Sequence, residues 1–280
     1  MMLDGKKIAD EITEALREEV DVLRAQGITP GLGIVLIGDD PSSHLYVSMK
    51  QKMAETLGMY CVLRKLPGDV PEKDVVAILD DMSRDATLYG IIVQIPIPKT
   101  LSRDTVCSHI DLTKDIDCLN PENMVRLEDG ETSLHPPTAE SVARLIEASG
   151  RSVHGSSVAV IGSGFFARQI TAHLRNKGAV VDQIPFRSDD LEERTSKTDV
   201  VVSSIGRPAC ITGEMIRDGA VVIDVGVTRV DREVVGDVDF ESVSKKASAI
   251  TPVPGGVGPV TVAILLQNVV RAAQRTIDGL

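Results

Sequence analysis

Aromatic side chains are scarce: no tryptophan, three tyrosines and four phenylalanines occur in 280 residues. The formal net charge is −11. A chain with so few stacking platforms and no basic excess lacks what single-stranded or duplex nucleic acid requires, which excludes nucleic acid as a partner. Only four cysteines are present, Cys61, Cys107, Cys118 and Cys210, and none forms a C-x-x-C pair. That excludes a disulfide framework and a cysteine zinc site, and predicts reduced thiols. The five histidines are dispersed, and no metal is expected. No apolar run reaches the roughly 20 residues that span a bilayer. The opening MMLDGKKIADEITEALREEV carries acidic residues and no apolar stretch of a signal peptide. The expectation is a soluble cytoplasmic protein with a small-molecule ligand and no membrane partner. An anionic ligand would have to be held by local groups against the global field.

What is present is an alternation. GLGIVLIGDD reads as a buried strand and turn, with Asp40 as N-cap and Pro41 as first residue of a helix ending at Gly58. In that helix Leu45, Met49, Met53 and Leu57 recur every four residues, which predicts a core-facing stripe. YCVLRKLP, PEKDVVAILDDMS and YGIIVQIPIP continue as strand, helix and strand. LEDGETSLHPP reads as a polar connector and TAESVARLIEASG as a helix leading out of it. A second run then gives strand, glycine turn, helix and strand over SSVAVIGSGFFARQITAHLRNKGAVVDQIPFRS, with further strands at DVVVSSIG and AVVIDVGV. Strands alternating with helices predict an α/β protein with parallel sheets. Two domains are expected: residues 1–135 plus 259–280, and residues 136–258.

The sharpest motif is G-x-G-x-x-A at Gly162, Ser163, Gly164, Phe165, Phe166 and Ala167, directly after a strand and opening a helix. Its first glycine suits a tight turn, its second the approach of a pyrophosphate, and the helix N-terminus favours the anion. The next strand ends in Arg187 and Ser188, with Asp182 inside it rather than at its tip. A cation and a hydroxyl there suit a ribose 2′-phosphate, favouring NADP, with NAD still possible.

Tyr46 and Lys50 stand one helical turn apart and share a face. A lysine beside a phenol in a cleft handles protons; the alternative is a snorkelling lysine over a half-buried tyrosine. Gln94, a polar amide in an apolar strand, needs partners or a ligand. Asp115 and Asp117 make a poor metal site without further ligands and suit a turn or cap.

LDGKKIA, GDDPSSHLYVSMK, GIIVQIPIP, KDIDCLNPEN, GAVVIDVGVTR, GDVDF and ITPVPGGVGPVT together resemble the bifunctional methylenetetrahydrofolate dehydrogenase/methenyltetrahydrofolate cyclohydrolase family over nearly the full length. The resemblance implies an N-terminal α/β catalytic domain and a Rossmann-type dinucleotide-binding domain, with a catalytic cleft between them. It implies a folate substrate, oxidation and hydrolysis at its one-carbon bridge, and a homodimer. Lys50 takes the place of the catalytic lysine, Tyr46 of a tyrosine stacked on folate, Gln94 of a residue that tunes the lysine, and Asp117 of the acid that holds the pterin. Pro254, Gly255, Gly256 and Pro259 stand for the loop against substrate. Gly162, Ser163, Gly164, Arg187, Ser188 and Val227 stand for the cofactor contacts.

Several positions depart from the family pattern, among them HPPTAES, which stands for P-C-T-P-x-G. Ser163 stands where an arginine commonly meets the NADP 2′-phosphate, Phe186 stands for a serine, and Cys118 stands for a glycine. A monofunctional dehydrogenase and a non-catalytic dinucleotide-binding regulatory module are the alternatives.

Overall fold

The computed structural model describes residues 1–131, 135–231 and 233–278. The chain divides into two compact units: Asp10–Pro136 with Val262–Leu280, and Met1–Ala9 with Pro137–Thr261. This differs from the expected division at the N-terminus. Residues 1–9 join the second unit because their backbone pairs there: Leu3 N donates to Ile250 O (2.8 Å) and Gly5 N to Gly255 O (3.0 Å), while Met2 and Ile250 form a parallel bridge.

In the first unit the described elements are α1 (Gly5–Ala25, its first turn in the second unit), β1 (Gly31–Ile37), α2 (Pro41–Thr56), β2 (Tyr60–Leu66), α3 (Glu72–Arg84), β3 (Gly90–Val93), α4 (Arg103–Cys107) and α5 (Pro121–Glu128). Sequence reading did not anticipate α1, although Ile12, Leu16, Val20 and Leu23 form a buried face at helical spacing. The three strands pair in parallel in the order β2-β1-β3. Every residue of β1 and β3 is buried, as a sheet covered on both faces requires. The entry to α2 follows the sequence: Asp40 accepts a hydrogen bond from Ser43 N (2.7 Å), with Pro41 in the first turn.

The face that α2 buries is not the expected one. Leu45 is 53% exposed and Met49 38%, while Val47, Lys50 and Ala54 are buried and only Leu57 of the expected stripe is fully covered. Rotating the helix toward Val47 and Ala54 brings Lys50 inward, so the apolar repeat was sacrificed to a polar group. The expected connector begins later than its sequence suggested, since α5 continues through Glu128; residues 132–134 of it lie outside the described residues.

In the second unit the elements are α6 (Pro137–Ala148), β4 (Ser157–Ile161), α7 (Phe165–Asn176), β5 (Val180–Ile184), α8 (Leu191–Thr195), β6 (Val200–Ser203), β7 (Val221–Asp224), β8 (Thr228–Val230), β9 (Glu233–Val235), α9 (Phe240–Ser244) and β10 (Ala249–Ile250), with α10 (Val257–Asp278) passing from this unit to the first. The main sheet is parallel, ordered β10-β7-β6-β4-β5, and β8 and β9 form an antiparallel hairpin. Its core is aliphatic, built on Ile161, Ile184, Val201 and Val222. Buried Glu140 ties α6 to α7 through His173 Nε2 (2.8 Å) and Lys177 Nζ (3.0 Å). Among the described residues no helix is long and apolar enough to cross a membrane.

Two buried aspartates fix the loops that leave β6 and β7. Asp224 accepts from the backbone N–H of Gly226 (2.9 Å), Asp237 (3.1 Å) and Val238 (2.9 Å). Asp237 accepts from Ser203 Oγ (2.9 Å), Ile205 N (2.7 Å) and Arg207 N (2.8 Å). Each carboxyl also lies flat against a glycine of the other's segment: a β-carbon on Gly226 would collide with Asp237, and one on Gly236 with Asp224. Packing this close has no slack for a methyl group. Gly226→Ala should therefore lower unfolding stability by about 3 kcal/mol, read as a fall in the urea midpoint, whereas Gly155→Ala, with open space around its Cα, should show only the smaller cost of its φ of +79°.

Candidate active site

In the first unit, Lys50 projects from the buried face of α2 and retains 6% of its exposure. Its Nζ donates to Gln94 Oε1 at 2.9 Å. Gln94 lies one residue past β3, its backbone N–H still bonded to Val35 O (2.9 Å) and its Nε2 to Ile95 O (2.8 Å). The snorkelling alternative is thus excluded by geometry: the ammonium faces inward. Burial lowers the Lys50 pKa and Asp117 acts in the opposite sense. Asp117 keeps a partly exposed edge although it lies deep in the unit; burial pushes its carboxyl up to about 6, against the pull of Lys50. Tyr46 is half-buried one turn before Lys50, and burial raises its phenol.

The two acids of KDID divide their work. Asp115 is fully buried and accepts from Leu119 N (2.9 Å), Asn120 N (2.9 Å) and Asn123 Nδ2 (2.9 Å), so it is the one that organises the turn. Asp117 is left facing the lysine. Asn268 of α10 braces the same turn by donating to Ile116 O (2.9 Å). Cys118 adopts φ +56°, a left-handed conformation that disfavours a side chain and explains a glycine at the corresponding family position.

In the second unit, Gly162 adopts φ +145°, and a β-carbon there would meet Ser204 O. Only glycine lets the turn after β4 lie against the loop after β6. Gly164 is the N-cap of α7, with no side-chain cap and nothing within 4 Å of where a β-carbon would stand. That leaves the helix N-terminus open to an anion. Gln183 Nε2 supports the turn from β5 through Gly162 O (2.9 Å), a residue that sequence reading passed over. Ser163, Arg187 and Val227 are exposed around this turn or at neighbouring strand ends. Ser188 is half-buried, its hydroxyl bonded to Asp190. Asp182 is neutralised by Arg194, whose Nε lies 2.9 Å away. In the proline–glycine loop Pro254 is exposed and Pro259 half-buried, but Gly256 is buried, its carbonyl against Gly5. The bareness of Gly256 is used by the chain itself.

Comparison with known proteins decides the family. A family model described as tetrahydrofolate dehydrogenase/cyclohydrolase, catalytic domain, matches residues 3–117, and one described as its NAD(P)-binding domain matches residues 136–277. The chain belongs to the tetrahydrofolate dehydrogenase/cyclohydrolase family. A bifunctional protein FolD from Nautilia profundicola is 41% identical over 98% of this chain and 97% of its own. Among solved structures, the FolD methylenetetrahydrofolate dehydrogenase/cyclohydrolase from Campylobacter jejuni is 35% identical with TM-score 0.94, covering 99% of both chains. The methylenetetrahydrofolate dehydrogenase-cyclohydrolase of Trypanosoma brucei, complexed with NADP cofactor and inhibitor, is 34% identical with TM-score 0.94, covering 99% of this chain and 98% of its own.

Within this family frame, the most informative residues that sequence reading left without a role are Asp224 and Asp237. Each is an acid buried at 3% exposure or less, and a carboxylate that far from water requires donors. The signal was available in IDVG and GDVD, acids next to glycines at strand ends.

A raised pKa means that the folded protein holds the Asp117 proton more tightly than the unfolded chain does. Its contribution thus favours folding below the ordinary carboxylate range and is lost as pH rises through about 6. Asp117→Asn should lack this component: as pH rises from the ordinary carboxylate range to about 6 its urea midpoint should gain on that of the unmutated protein, and the gain should level off above that.

Proposed function

We propose that this protein oxidises 5,10-methylenetetrahydrofolate to 5,10-methenyltetrahydrofolate with NADP and hydrolyses the product to 10-formyltetrahydrofolate. The observation that carries the reading is the inward Lys50, bonded to Gln94 and paired electrostatically with Asp117, in the segment matched by the family's catalytic domain. The open N-terminus of α7 beside the Gly162 turn fits a dinucleotide pyrophosphate. Bound NADP supplies the hydride acceptor.

Loss of hydride from the methylene carbon leaves a methenyl cation on the folate. Asp117, ionised at neutral pH, offsets that charge and accepts hydrogen bonds from the pterin. Burial works against the charged form of Lys50, which eases loss of its proton, and once deprotonated the amine can accept a proton from the water that adds to the same carbon. Breaking one carbon–nitrogen bond of that adduct, with the proton held by Lys50 delivered to the leaving nitrogen and the hydroxyl proton released to water, yields the formyl group. Gln94 holds Nζ in place through these steps, and the Tyr46 ring covers the folate. Pro254, Gly255 and Pro259 contact the substrate, and Val227 the nicotinamide end. The reading extends to a cytoplasmic homodimer that supplies one-carbon units for purine biosynthesis.

The test is a spectrophotometric assay of 5,10-methylenetetrahydrofolate oxidation with NADP and with NAD, followed by decay of added methenyltetrahydrofolate. NADP reduction with enzyme-dependent decay is expected; tight dinucleotide binding without turnover would support a regulatory module instead. Lys50→Met should lower the hydrolysis rate by roughly 100-fold or more while leaving NADP affinity unchanged. Equal loss of both would place Lys50 outside the chemistry.

A further inference from the structure

With Ser163 at the position where the family commonly has an arginine, a ribose 2′-phosphate needs another cation in a chain whose net charge is −11. In a Rossmann sheet this phosphate falls at the tip of the second strand, here the end of β5. Phe186 and Arg187 occupy that tip. Across from them, in the loop after β6, the guanidinium carbon of Arg207 lies 5.5 Å from the centroid of the Phe186 ring. The two loops and the Gly162 turn are neighbours: Gly162 N donates to Ile184 O (2.9 Å), and Gly162 lies against Ser204 O.

Arg207 differs from an ordinary surface arginine in three respects. Its backbone N–H is anchored on the buried Asp237 carboxyl at 2.8 Å, so the root of the side chain is fixed. Among the described residues its guanidinium has no carboxylate partner, whereas Asp182 of β5 and Asp190 of the following segment are both engaged by Arg194, leaving Asp189 as the exposed acid nearby. Its guanidinium carbon lies within cation–π reach of the Phe186 ring, which holds the charge beside the tip of β5, and a guanidinium can grip a phosphate with paired hydrogen bonds. Phe186, a hydrophobic substitution for a serine, thereby acquires a purpose: it is the platform for the cation.

We propose that Arg207, seated on Phe186 and rooted by Asp237, is the residue that discriminates NADP from NAD in this protein, taking over the 2′-phosphate from the position of Ser163. Arg187 adds charge on the other side of the ring's strand end. The inference rests on the NADP reading, and its test separates the two.

The experiment is calorimetric titration of the full chain with adenosine 2′,5′-bisphosphate and with 5′-AMP, alongside KM and kcat for NADP and NAD. Arg207→Ala should weaken the bisphosphate about tenfold or more, the loss of one charge-assisted contact, and raise KM for NADP by a similar factor. Binding of 5′-AMP, KM for NAD and kcat should hold. Arg207→Lys should recover part of the loss, because charge returns without the fork. Equal weakening of both nucleotides, or of neither, overturns the proposal and leaves discrimination to Arg187. If the unmutated protein itself binds the bisphosphate no better than 5′-AMP, the NADP reading fails first and the proposal with it.

Discussion

Parallel pairing governs this molecule. In both main sheets every strand pair runs in the same direction, so each connection must cross the sheet and all strand ends of one kind gather along one edge. The residues proposed for binding and chemistry follow the C-terminal ends: Gln94 after β3 in one sheet, and the Gly162 turn after β4, Phe186 and Arg187 after β5, Arg207 after β6 and Val227 after β7 in the other. The inner strands β1, β4, β6 and β7 are almost wholly aliphatic, whereas β2 and β5, at sheet edges, carry Arg64, Lys65, Asp182 and Gln183. The loops at these strand ends are spaced by a rigid sheet, while Tyr46 and Lys50 come from α2.

The protein keeps charge out of water in two different ways. Asp115, Asp224 and Asp237 are surrounded mainly by backbone N–H groups, which satisfy the carboxylates and fix the loops that supply the donors. These carboxyls are held by the chain, although burial still pushes Asp115 up and Asp224 up to about 6. At Lys50 and Asp117 burial works against both charges, and each charge offsets part of that cost for the other. A pair of this kind adds little to stability and much to reactivity.

Much of this was legible from local sequence. The cap at Asp40, the glycine turn at Gly162 and the alternation of strands with helices each rest on interactions within a few residues, and each appears where the residues predicted it. Failures came where a distant partner decided the outcome. The four-residue apolar repeat on α2 predicted the wrong inward face because Gln94, 44 positions away, draws Lys50 inside. The roles of Asp115 and Asp117 could not be separated by spacing, since donors from Leu119 to Asn123 claim one and α2 faces the other. The Asp224–Gly236 and Asp237–Gly226 contacts join segments separated by the β8–β9 hairpin, and no periodicity links them. Helix α1 was visible as a buried stripe but had been read only for targeting signals.

The pairing of Met2 and Leu3 with Ile250 has a meaning beyond the assignment of nine residues to a unit. β10 is only two residues long and ends the five-stranded sheet, leaving backbone donors and acceptors that any other extended chain could pair with. The protein covers that border with its own leading segment. It thus protects itself against edge-to-edge aggregation with residues that carry no part of the chemistry.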